Sequence, residues 1–150
     1  MISNTALAPI PTRAPARNVS KPHVLAIEDN ADFVQILRHL IEAMGYELTA
    51  SATGREGLDI AQQLKPDIIF CDLGLPGGMD GFEFARRVRL DEALKDTPMI
   101  AVTARTDDSS RQKALGCGFD KIFLKPVRFA DLRDAMTAFS SQGGRRDPDR

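Results

Sequence analysis

The chain has 150 residues, 43% of them hydrophobic and 27% charged, with a formal net charge of −1. That is enough chain for one domain with its own core. The near-neutral balance gives no support to nucleic acid or a membrane surface as a partner, and no apolar run reaches the roughly 20 residues of a membrane span.

Residues 1–21 contain Pro9, Pro11 and Pro15 among Ala, Thr and Arg, and lack the apolar stretch of a secretory signal. They read as a disordered lead-in. The two cysteines, Cys71 and Cys117, make no disulfide framework, which fits a reducing, cytoplasmic setting.

His23-Val24-Leu25-Ala26-Ile27 is an apolar strand that ends on Glu28-Asp29. Asn30 can cap the helix behind it, where Phe33, Ile36, Leu37, Leu40, Ile41 and Met44 recur at helical spacing until Gly45 stops it. A short strand over Glu47 to Ala52 follows, and Thr53-Gly54-Arg55-Glu56 is a capping box opening a helix with Leu58, Ala61 and Leu64 on its apolar side. Ile68-Ile69-Phe70-Cys71 is the central strand, an unbroken apolar run of the kind buried on both faces of a parallel sheet. It ends on Asp72 and a Gly/Pro-rich loop. Asp80-Gly81-Phe82-Glu83 then caps a helix with Phe84 and Val88 inward and Arg86, Arg87 and Arg89 mostly outward, on a solvated face.

Pro98 to Val102 is a fourth strand, finishing on Thr103. Asp107 to Leu115 can form a polar helix backed by Gly116 and Gly118. Lys121 to Leu124 is a fifth strand ending on Lys125-Pro126, and the last helix carries Leu132, Ala135, Met136 and Phe139 on one face. Strands alternating with helices in this way predict a doubly wound α/β domain over residues 22–142, joined by right-handed crossovers, with helices on both faces of a parallel sheet. The Gly, Arg, Asp and Pro of residues 143–150 read as a disordered tail.

Four of the five strands therefore end on a chemically useful residue, and in an open parallel sheet the crevice beyond those ends is where ligands bind. If the strands are neighbours, Glu28, Asp29 and Asp72 meet Thr103 and Lys125, leaving a local charge of about −2 that calls for a cation. A hard ion with oxygen ligands, Mg²⁺, fits this inventory, and no histidine or thiolate set suits a softer metal. A carboxylate beside a metal, an ammonium and a hydroxyl is also what phosphoryl transfer needs. Taken singly, each residue has an ordinary reading: Asp72 as a turn residue, Glu28-Asp29 as helix-start charges, Thr103 as a cap, Lys125 as a surface lysine. Cys71 reads as inert core and His39 as helix surface.

Together, Glu28-Asp29, Asp72 with Leu73-Gly74-Leu75-Pro76 and Met79-Asp80-Gly81, Thr103-Ala104 and Lys125-Pro126 resemble the receiver domain of two-component response regulators. The resemblance spans about His23 to Ser141. It implies the flavodoxin-like strand order 2-1-3-4-5 and a phosphoryl group accepted on Asp72 from the phosphohistidine of a sensor kinase or phosphotransfer protein. It also implies Mg²⁺ held by Asp29 and Asp72, by Glu28 through water and by the Gly74 carbonyl, with Thr103 as a switch hydroxyl and Lys125 contacting the phosphate. The Lys125-Pro126 bond is expected cis. Gly74 and Arg105, two residues beyond Asp72 and Thr103, flank the path of hydrolytic water in the family.

Three departures stand out. The loop Pro76-Gly77-Gly78-Met79-Asp80-Gly81 has one glycine more than the family's usual pattern, which should loosen it. Ile122 stands where the family usually has an aromatic or histidine. No helix-turn-helix or enzyme module is legible after the receiver, so the expected role is phosphotransfer or binding of a partner protein, without nucleic acid. The alternatives are a constitutive pseudo-receiver interaction module and a metal-dependent aspartyl phosphatase. The latter is disfavoured because Gly74 sits where a second acid would be needed.

Overall fold

The computed structural model describes residues 21–105 and 107–141, the last three by their backbone alone. The disorder expected for the two ends falls outside these residues, Lys21 excepted, as does the placement of the Phe139 side chain.

Five strands alternate with five helices: β1 His23–Ile27, α1 Ala31–Ala43, β2 Glu47–Ser51, α2 Gly54–Leu64, β3 Ile68–Cys71, α3 Gly81–Leu90, β4 Met99–Thr103, α4 Asp108–Cys117, β5 Lys121–Leu124 and α5 Phe129–Ser141. The strands form one parallel sheet in the order β2-β1-β3-β4-β5. The three inner strands are buried along their whole length, whereas both edge strands are partly exposed. Period-two alternation divides their side chains between two cores. Leu25, Ile27, Ile69, Cys71, Met99 and Ala101 pack with Ala61, Phe84, Val88 and Ala114 of α2, α3 and α4. Val24, Ala26, Ile68, Phe70, Ile100 and Val102 face the other way, onto Leu37 and Ile41 of α1 and Leu132 and Met136 of α5. Because both faces are covered, the strands carry continuous apolar runs.

The helix signals work as expected at two starts, where Asn30 and Asp80 each accept a hydrogen bond from the backbone N–H three residues on. Asp107, read as the first residue of its helix, is instead the cap of α4 and accepts from Ser110 N–H. The capping box of α2 is only half formed: Thr53 Oγ1 accepts from Glu56 N–H, but Glu56 turns its carboxylate to the Ser51 hydroxyl. Gly45, at φ +89°, closes α1.

Four more readings are corrected. Arg89 is no solvated arginine. It folds back to donate to the carbonyls of Gly118, Lys95 and Thr97 and to the Asp120 carboxylate, supplying loop carbonyls with a donor as buried backbone requires. Ile36, placed on the apolar stripe of α1 by spacing, is 56% exposed, since the stripe that meets the sheet is narrower. The second strand ends at Ser51, one residue early, where Glu28 N–H bonds the Ser51 carbonyl. Helix α4 runs on to Cys117 before Gly118 ends it at φ +115°.

Candidate functional site

The parallel sheet brings the carboxyl ends of β1, β3, β4 and β5 to one edge. Register carries this out: Ile27 aligns with Cys71, Cys71 with Ala101, and Thr103 with Leu124, so Glu28, Asp72, Thr103 and Lys125 emerge side by side. The backbone fixes each of them. Asp72 N–H donates to the Ile27 carbonyl and Lys125 N–H to the Thr103 carbonyl, both at 2.9 Å. Helix α3 begins tight against this point; a Cβ on Gly81 would collide with the Asp72 carbonyl, so only glycine fits there. The bond between Lys125 and Pro126 is cis. Gly77 and Gly78, at φ +86° and +88°, both take the left-handed conformation that glycine allows.

Glu28, Asp29 and Asp72 offer carboxylate oxygens that lie within 4.8 Å of one another. Lys125 Nζ donates to Glu28 Oε1 at 2.7 Å and stands 3.6 Å from Asp72 Oδ2. Gly74 N–H donates to Asp72 Oδ1 at 3.2 Å, and Asn30 N–H to Glu28 Oε2 at 3.0 Å. Glu28 is buried, Asp72 half-buried and Asp29 exposed, so the trio opens to solvent on one side.

The ion pair does not serve its two members equally. For Glu28, burial outweighs the hydrogen bonds from Lys125 and Asn30, and its pKa is raised above the ordinary glutamate value of 4.5. For Lys125, burial would lower the pKa, but the Glu28 hydrogen bond and the Asp72 charge prevail and raise it. The site thus holds its ammonium firmly while carrying more negative charge than it can neutralise. Hard oxygen donors in excess of one ammonium suit a hard divalent cation, so the residues fit Mg²⁺.

Thr103 is buried at the end of β4, and its Oγ1 accepts from Arg105 N–H at 3.1 Å. The expected residues are thus brought to one edge, with Glu28, Asp29, Asp72 and Lys125 in a single cluster and Thr103 at the end of β4, between the strands that carry Asp72 and Lys125. Sequence reading missed three neighbours: Asn30, whose N–H fixes Glu28; Phe33, whose ring lies 4.8 Å below Lys125 Nζ; and Phe82, whose ring centre lies 5.7 Å from the Arg105 guanidinium. Phe33 and Phe82 look like ordinary helix residues in the sequence, and only the position of each helix start against the strand ends gives them away.

Burial, and then the nearby Asp72, push the Cys71 thiol well above its ordinary pKa, in keeping with an inert core residue. His39 is exposed, and His23 is buried against Glu47 and Thr49, far from any metal-like arrangement with it.

A doubly wound parallel sheet with a carboxylate trio and a lysine at its C-terminal edge defines a class of signalling domain. The sequence profile of the response regulator receiver domain matches residues 24–137, and the chain belongs to that family. It is similar to the polar-differentiation response regulator DivK of Brucella ovis, 36% identical over 104 residues, covering 69% of this chain and 84% of that one. It is also similar to the transcriptional regulatory protein AfsQ1 of Streptomyces coelicolor, 34% identical over 128 residues; the match covers 85% of this chain but only 55% of AfsQ1. Among solved structures, the chemotaxis protein CheY4 of Vibrio cholerae superposes with a TM-score of 0.74 at 31% identity, over 79% of this chain and 98% of that one. The receiver domain of a Pseudomonas aeruginosa sensor histidine kinase, with a magnesium ion coordinated in its active site cleft, gives 0.75 at 26% identity, over 81% and 98%. No helix among the described residues is long and apolar enough to cross a membrane.

Proposed function

We propose that the domain spans residues 22–142 and that Asp72 accepts a phosphoryl group from the phosphohistidine of a sensor kinase or phosphotransfer protein. The observation that carries this reading is the cluster itself: Glu28, Asp29 and Asp72 within 4.8 Å, with Lys125 against two of them. A carboxylate oxygen of Asp72 forms the new bond to phosphorus as the bond from phosphorus to the histidine nitrogen breaks; that nitrogen keeps the bonding pair, and a donor ring protonated on its other nitrogen leaves as neutral imidazole. Glu28, Asp29, Asp72 and the Gly74 carbonyl would hold Mg²⁺, which when bound neutralises charge on the phosphoryl oxygens. Lys125 holds one side of the group through its ammonium, and Thr103 offers a hydroxyl from the adjoining strand. In this proposal the phosphorylated protein either passes the group on or binds a partner protein, in the cytoplasm. Acetyl phosphate and Mg²⁺ followed by intact-protein mass measurement test it. One added phosphoryl group is expected in the wild type and none in Asp72→Asn; equal labelling of the two would sink the assignment.

A further inference from the structure

Arg105 leaves the site's edge within the electrostatic reach of Asp107, whose pKa is lowered by the hydrogen bond from Ser110 N–H and also by this arginine, but its guanidinium makes no close ion pair among the described residues. Its backbone N–H is tied to Thr103 Oγ1 at 3.1 Å, and its guanidinium lies 5.7 Å from the centre of the Phe82 ring. Held there, it covers Gly74: a Cβ on that residue would lie 3.7 Å from Arg105 Nη2. Gly74 in turn is bonded to Asp72 Oδ1. The same ring carries a second cation, Lys113 Nζ of α4, at 4.4 Å. Phe82 is 2% exposed and is placed by the α3 start that Gly81 packs against Asp72, so the ring is a fixed platform.

We infer that Phe82 is a positioning residue: its ring face holds Arg105 over the approach to Asp72 and thereby sets how long a phosphoryl group survives there. The inference rests on the reading of Asp72 as phosphoacceptor. A cation over an aromatic face is attracted by the ring's quadrupole, and two cations on one ring weaken each other's hold. A phosphoryl group on Asp72 brings a charge of about −2, and the guanidinium already stationed beside Gly74 reaches it without crossing open solvent. There it occludes the path of water.

The test is the decay rate of phosphorylated protein, labelled with acetyl phosphate and then freed of donor. Phe82→Leu should speed decay by about two- to fivefold, the worth of a cation–π contact at an open site. A fluorinated phenylalanine at position 82 removes the negative face while nearly keeping the shape, so it guards against a folding defect and should act in the same direction. Lys113→Met should slow decay, because Arg105 then has the ring to itself. In an Arg105→Ala background, itself faster than wild type, neither change at Phe82 should add anything. A second readout needs no phosphate: the Arg105 Nε–Hε resonance should move when the ring is fluorinated. Unchanged decay with the fluorinated ring, equal effects with and without Arg105, or an unmoved resonance overturns the inference. Failure to label wild type at all would instead defeat the phosphoacceptor reading.

Discussion

Replacing Lys125 by methionine probes the electrostatic design of the site. Methionine keeps the length and the contact with Phe33 but removes the one cation that, among the described residues, pairs with the carboxylates. At 2.7 and 3.6 Å, and an effective dielectric of about 20, the gross attractions to Glu28 and Asp72 are about 6 and 5 kcal/mol. Most of that is offset by desolvation of the ammonium and of buried Glu28. Removing one partner of a fully buried pair costs about 3–5 kcal/mol, but the Lys125 side chain is 23% exposed, which lowers the figure towards that of a single charged hydrogen bond, about 2 kcal/mol. For a domain of this size that is a fall in Tm of about 6–10 °C in metal-free buffer. Mg²⁺ should then stabilise the variant more than the wild type, since three carboxylates face the ion with no competing ammonium. Differential scanning calorimetry with chelator and with millimolar Mg²⁺ reads both effects. A Tm within a degree of wild type, or equal Mg²⁺ increments in the two proteins, would refute the reasoning.

Mg²⁺ binding only the folded wild type should add about 1.4 kcal/mol at ten times Kd, several degrees in Tm; Asp29→Ala should abolish the gain, and a melting curve indifferent to Mg²⁺ would contradict the site. Arg89→Ala strips the carbonyls of Lys95, Thr97 and Gly118 of a shared donor and should cost about 2–3 kcal/mol in a denaturant titration, whereas a solvated arginine would cost about 0.5 or less. Glu83, hydrogen-bonded by Arg87 and then Arg86, has its pKa lowered from 4.5, so its pairing supports the fold above that pH and fades as pH falls through the folded-state value. Its carboxyl should titrate below 4.5 by NMR and move up in Arg87→Ala; no movement would discount the pair. Beryllofluoride, a phosphoryl mimic, should shift amides of residues 74–80 and 104–118 more than those of Ile122 and 129–139, because a β-branched Ile122 offers no rotating aromatic ring. The reverse order would show the usual readout operating without one.

The strand positions were legible because a sheet covered on both faces demands unbroken apolar runs, and His23–Ile27 and Ile68–Cys71 have them. The acidic edge was legible because its members lie next to those runs, where register alone brings Glu28, Asp72 and Lys125 together. What could not be read depends on contacts between distant segments. Arg89 looks like its neighbours Arg86 and Arg87 until Gly118 is brought 29 residues back to it. Phe82 looks like any apolar residue in the first turn of a helix until Arg105 and Lys113 arrive from the β4–α4 segment. Glu56 satisfies the capping-box pattern, yet a serine hydroxyl at 3.1 Å wins its carboxylate.

Locating the phosphoryl group chemically tests the central claim most directly. Borohydride reduces an acyl phosphate to an alcohol, which marks the modified carboxylate permanently for peptide mass mapping. After acetyl phosphate and Mg²⁺, the account predicts one reduced side chain, at Asp72, and none when chelator replaces Mg²⁺. Reduction at Glu28, Asp29 or any other carboxylate, with Asp72 intact, would contradict it.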